Sequence, residues 1–122
     1  MIDHLQLQCD DLARSAAFYD AVLAPLGGTR ILEHDEAIGY GVTYPHFWLG
    51  QLTDQPVNRA VHLAFRAPDR AAVDAFRDAA VAYGLEVLHE PKELPEYHDN
   101  YYGAFVRDPD GHNVEAVCHQ AE

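Results

Sequence analysis

The chain has 122 residues, enough for one compact domain with its own core. A formal net charge of −12 disfavours nucleic acid, anionic membranes and polyanionic substrates as partners. No apolar run reaches the roughly 18 residues that span a membrane, and the opening MIDHLQLQ lacks the basic and apolar regions of a secretion signal, so a cytoplasmic setting is expected.

Residues 2–8 alternate like a half-buried strand. Asp10 and Asp11 offer an N-cap for a helix over 12–25, whose apolar positions Leu12, Ala16, Tyr19, Val22, Leu23 and Leu26 recur at helical spacing. Gly27 and Gly28 end it. Three short strands are expected near 29–34, 38–44 and 46–52, followed by a polar linker, 53–59. A strand at 60–66 and a helix at 69–83, opened by Pro68 and Asp69 and closed by Gly84, start the same order again. Strands near 85–90, 101–107 and 113–118 complete it, with a longer polar connection at 91–100 of the kind that often carries function. Cys9 and Cys118 are too isolated for a disulfide framework and read as two small buried hydrophobes.

The two halves match residue by residue. At an offset of 58, nine of the 25 positions in 2–26 are identical to those in 60–84, among them His4 with His62, Leu5 with Leu63, Asp11 with Asp69 and Phe18 with Phe76. The repeat predicts two β-α-β-β-β modules, 2–52 and 60–119, within one domain spanning 1–122. A module of this size leaves one sheet face bare, so the two should pack as a pair. Pseudo-twofold packing would bring His4 and His62 together, a natural beginning for a metal site. Glu115 lies mid-strand among Val114 and Val117, where a buried carboxylate needs a partner. Taken singly, each of these residues is more often a packed or surface group than a ligand.

Four segments carry a resemblance: I-D-H-L with D-L-A-R-S-A-A-F-Y-D at the start, V-H-L-A-F at 61–65, A-F-V-R-D-P-D-G-H at 104–112, and N-V-E-A-V at 113–117. With them the chain resembles the vicinal-oxygen-chelate superfamily, which includes glyoxalase I, extradiol ring-cleaving dioxygenases, fosfomycin-resistance enzymes and bleomycin-resistance proteins. The resemblance implies an α+β fold in which the modules pair into an open, cup-shaped mixed sheet. It also implies His4, His62 and Glu115 as ligands of a divalent metal (Fe2+, Mn2+, Zn2+ or Ni2+), and a homodimer. Two imidazoles and a carboxylate suit such an ion and leave positions open for substrate oxygens. Glyoxalase I takes a fourth ligand from the last strand of its first module; here that strand reads His46-Phe47-Trp48-Leu49-Gly50, without an acid.

Strand alternation places Gln6 and Gln8 on the face of His4, Arg66 on that of His62, and Gly103 and Tyr101 on that of Phe105. In similar proteins the residue three before the D-P-D-G turn faces the cavity, so the resemblance turns the Phe105 face inward, and Gln6, Trp48, Phe105 and Arg66 are candidate substrate contacts. Tyr97, His98 and Tyr101 are candidates for catalytic proton transfer, in a connection expected to wall or cover the site. His46 is a further candidate contact. His112, following the D-P-D-G turn, is expected to be exposed, and His34, His89 and His119 lack comparable context. The resulting expectation is a metal-dependent lyase or dioxygenase acting on a small oxygen-chelating molecule. The alternative is a bleomycin-resistance-like protein that sequesters a cationic or aromatic molecule without catalysis.

Overall fold

The structure, a computed structural model, describes residues 1–58 and 60–121, so the last residue of the expected linker, Arg59, and the last of the domain, Glu122, lie outside the described residues. The order is β1 (Leu5–Cys9), α1 (Leu12–Leu23), β2 (Thr29–Glu33), β3 (Ala37–Gly41), β4 (Phe47–Gln51), β5 (His62–Arg66), α2 (Arg70–Tyr83), β6 (Val87–Glu93), β7 (Tyr102–Arg107) and β8 (Asn113–Cys118). This is the β-α-β-β-β unit twice. Each module forms one four-stranded mixed sheet, ordered β1-β4-β3-β2 and β5-β8-β7-β6. The first strand of each module runs parallel to the last and stands at a sheet edge. Among the described residues no helix is long and apolar enough to cross a membrane.

Local chemistry sets the element ends. The Asp11 and Asp69 carboxylates accept from the backbone N–H groups of Arg14 (3.1 Å) and Ala72 (2.8 Å), capping the two helices. The first helix stops at Leu23 rather than 25, because Pro25 brings no N–H and the chain tightens into a 3₁₀ turn, Ala24–Leu26. Gly84 closes α2 in the left-handed region, φ 92°, its N–H reaching the carbonyls of Ala80 and Val81. β6 runs to Glu93 rather than ending at 90. It absorbs Pro91 because it is an edge strand with two register irregularities. Most of the expected 91–100 connection is thus a compact turn, closed by Leu94 N–H to the Tyr101 carbonyl at 2.8 Å.

The helices cover one face of each sheet and pack on each other, with residues such as Arg14, Asp74 and Asp78 left exposed on their outer sides. One continuous core joins the modules, with Leu7, Phe18, Tyr19, Leu49, Val73, Phe76, Val106 and Val114 all buried. Phe47 meets Phe65 edge to face across the junction, centroids 5.0 Å apart. The D-P-D-G turn grips the first module. The Tyr19 hydroxyl donates to the buried Asp108 carboxylate at 2.8 Å, and Ser15 and the Asp10 N–H donate to Asp110. His112 is buried, at 2 % exposure, against the expectation of an exposed ring. The Asp108 N–H bonds the His112 carbonyl and Asp108 Oδ1 accepts the His112 N–H, so the turn draws residue 112 in at the root of β8.

Candidate metal centre

Because the helices take one face of each sheet, residues alternating to the other face are left open. On β5 these are His62, Ala64 and Arg66, all exposed, while β8 turns Glu115 to the same side. Glu115 is 1 % exposed, and the Tyr101 hydroxyl donates to its Oε1. Its other oxygen lies 3.1 Å from His62 Nε2. His62 Nδ1 faces the Asn113 carbonyl at 3.1 Å. A carbonyl only accepts, so Nδ1 carries the proton on that side and Nε2 is the ring atom that faces the carboxylate. Either a proton on Nε2 or a shared cation resolves the contact. A separation of 3.1 Å suits two ligands of one ion held at about 2.0–2.2 Å.

Neighbouring residues fix this pair. Phe105, directly across β7 from Glu115, lies nearly parallel to the His62 ring, with centroids 5.8 Å apart and 16° between planes. Gly103 makes room: a Cβ there would stand 3.2 Å from Glu115 Oε1 and 3.3 Å from the Tyr101 ring. Burial, then the Glu115 carboxylate, raises the Tyr101 phenol well above its ordinary value. Tyr101 therefore stays protonated and donates, positioning the carboxylate rather than serving as a ready base. Tyr97 abuts Tyr101 edge to face at 5.3 Å and is 61 % exposed. His98 packs at right angles to His119, 5.9 Å away, with its Nδ1 near the Asp99 carbonyl. Tyr97 thus meets Tyr101 directly, and the His98 ring meets it through His119.

His4 belongs to the other open face. It is exposed, with its Nδ1 2.7 Å from the Asp3 carboxylate, whose pKa that hydrogen bond lowers. Nε2 is thereby the ring nitrogen turned away from that contact. His4, Gln6, Tyr44, Pro45 and Trp48 line one cavity of about 410 Å³, which no residue of the second module lines. The two faces belong to separate sheets, and the two helices pack on each other. Among the described residues no group of three or more His, Cys, Asp or Glu side chains converges to hold an ion. The expected meeting of His4 and His62 thus does not occur within one chain. Arg66 shares the strand face of His62 but lines a separate apolar cavity with Leu23, Leu26, Tyr40, Phe47 and Phe65. His46 Nδ1 lies 2.8 Å from the Asp3 carbonyl.

Sequence reasoning missed three contributors: Asp3, which orients His4; His34, stacked parallel to Trp48; and His89, edge-on to Phe105 at 5.2 Å. The Asp-His dipeptide was a legible signal for the first. The other two depend on cross-strand register.

The chain matches a family model described as the Glyoxalase/Bleomycin resistance protein/Dioxygenase superfamily over residues 1–116. Among solved structures, a glyoxalase/bleomycin resistance protein from Albidiferax ferrireducens T118 is 29 % identical, with a TM-score of 0.76, covering 96 % of this chain and 97 % of the other. A lactoylglutathione lyase from Agrobacterium tumefaciens is 24 % identical, TM-score 0.71, covering 97 % and 92 %. A glyoxalase/bleomycin resistance protein/dioxygenase family enzyme from Burkholderia phytofirmans PsJN is 18 % identical, TM-score 0.75, covering 98 % of each chain. The last two share the fold. Among curated proteins none matches.

Proposed function

We infer that this chain, which belongs to the glyoxalase/bleomycin resistance protein/dioxygenase superfamily, holds a divalent first-row metal through His62 and Glu115, with His4 delivered by a second copy, and acts on a small molecule bearing neighbouring oxygens. The observation that carries this reading is His62 Nε2 set 3.1 Å from a buried carboxylate oxygen, with Nδ1 already committed to a carbonyl. An ion held there supplies a Lewis acid that stabilises negative charge developing on a substrate oxygen. The chain's own residues do the positioning. Tyr101 holds the carboxylate, Phe105 flanks the imidazole, and Tyr97 and His98, linked to Tyr101 directly and through His119, are the side chains we assign to proton transfer with the substrate or its water. The reaction class is a lyase or dioxygenase step on that oxygen-bearing molecule.

The second copy follows from the open edges. β1 and β5 are both uncovered edge strands, and each carries or adjoins one of the repeat-equivalent histidines. Pairing β1 of one protomer beside β5 of its partner closes both edges and sets His4 against His62 and Glu115 twice, as an isologous dimer requires.

Metal content of untagged, chelator-free protein tests the reading. His4→Ala, His62→Ala and Glu115→Ala should each lose most of the bound ion without unfolding. A co-expressed heterodimer of His4→Ala with Glu115→Ala should recover one intact site per pair of chains. Equal metal content in all variants refutes the metal site. No recovery in the heterodimer refutes the shared one. A metal-free protein that binds cationic aromatic molecules tightly would be a sequestering module instead.

A further inference from the structure

The two open faces can be superposed row by row, and the comparison singles out Trp48. In the second module one row runs His89, Phe105, Glu115 and Ala64 across the sheet. In the first the same row runs Leu32, Gly39, Trp48 and Gln6. Trp48 therefore holds the place of the carboxylate Glu115, and Gly39 that of the aromatic Phe105. The exchange is complementary in volume. The indole lies across the space a side chain at 39 would fill, since a Cβ on Gly39 would stand 2.8 Å from Trp48 Cε2 and Cζ2.

Several features make this indole a presented surface rather than core filling. Its N–H is already spent on the Pro45 carbonyl, at 3.0 Å, so what it offers the cavity is its ring. Trp48 is only half-buried and lines the same cavity of about 410 Å³ as His4. His34 stacks parallel to it within 2°, centroids 6.0 Å apart, and holds its tilt from outside that cavity. Beside it the Gln6 and Gln8 amides run flat along the strand, Nε2 to Oε1 at 3.4 Å. They fit because residue 50 is glycine: a Cβ there would fall 2.4 Å from Gln6 Nε2. A cavity of this size takes a ligand of one or two rings.

We propose that Trp48 is a specificity-determining platform that takes the flat ring of a planar, conjugated substrate whose adjacent oxygens reach the His4 end of the cavity. The proposal rests on the metal reading above for the oxygens, and on Trp48, Gly39 and the glutamine pair for the ring. Module duplication thus gave one face the carboxylate and the other the ring-binding surface.

Trp48 is the only tryptophan, so its fluorescence reports on the platform directly. Metal-loaded protein should bind tropolone, a planar chelator, with quenching of Trp48 emission and an affinity readable by calorimetry. Trp48→Ala should weaken tropolone by about five- to tenfold and leave glycolate, a small non-planar chelator, within twofold. Trp48→Phe should retain most of the tropolone affinity. Equal weakening of both chelators, or of neither, overturns the platform. Should the protein hold no metal, the metal reading fails separately. The platform is then judged with metal-free protein and quinoline, which must quench Trp48 and lose binding in Trp48→Ala; absence of either effect overturns it.

Discussion

Glu115 shows how much one side chain depends on residues around it that carry no charge. Its carboxylate is buried and is met by one hydroxyl donor and one imidazole. Tyr101→Phe removes the donor and leaves a buried oxygen short of a partner. Loss of an orienting partner to a metal ligand generally costs 10–100-fold in affinity. We therefore expect Tyr101→Phe to weaken metal binding about tenfold by calorimetry, with a circular dichroism spectrum like that of wild type; unchanged affinity would mean that Tyr101 has no positioning role. At this scale the repeat pointed to His62, the family resemblance to Glu115, and strand alternation to the face shared by Tyr101, Gly103 and Phe105. It did not reveal His89. The irregularities between Val87 and His89, and between His89 and Lys92, change which β7 residue each β6 residue faces, and alternation cannot see a bulge.

The elements were legible in kind and order, and their ends were displaced where proline acts. Pro25 shortens α1 and Pro91 sits inside β6, because a helix interior rejects the ring and an edge strand accepts it. The helix starts are better specified, since an aspartate cap is a local signal. Asp69→Ala should cost about 1 kcal/mol by releasing the Ala72 N–H, read as a lower urea midpoint at unchanged slope. Asn at the same position should restore most of it. A midpoint equal to wild type in the alanine variant would show that the cap is idle.

For the whole molecule, the repeat said that two units resemble each other but not which of their faces meet. Helix met helix, so the histidines were separated within a single chain. The same junction buries several weak acids. Burial pushes the Cys9 thiol from 9.0 up to about 11, and burial beside Asp108 and Asp20 raises the Tyr19 and Tyr40 phenols well above their usual range. The folded protein keeps these protons at a pH where the unfolded chain gives them up. Their contribution to stability is thus complete below about pH 9 and is lost as pH rises through 9 to 11 and beyond, at up to about 1.4 kcal/mol per pH unit for each group. Urea midpoints should be flat from pH 7 to about 9 and then fall. Cys9→Ala should delay the fall towards pH 10, where the tyrosines take over. An unshifted onset in that variant would remove Cys9 from the account.

The alternation of each strand between a helix-packed face and an open one bears on how such a chain can change over time. Residues of the shared core, such as Leu7, Leu49 and Val114, occupy different strand positions from those of the open faces, such as Gln6, Trp48 and Glu115. Once a unit is duplicated, one copy can trade an acid for an indole while the scaffold stays as it was. New chemistry can therefore accumulate on the open faces without passing through unstable intermediates.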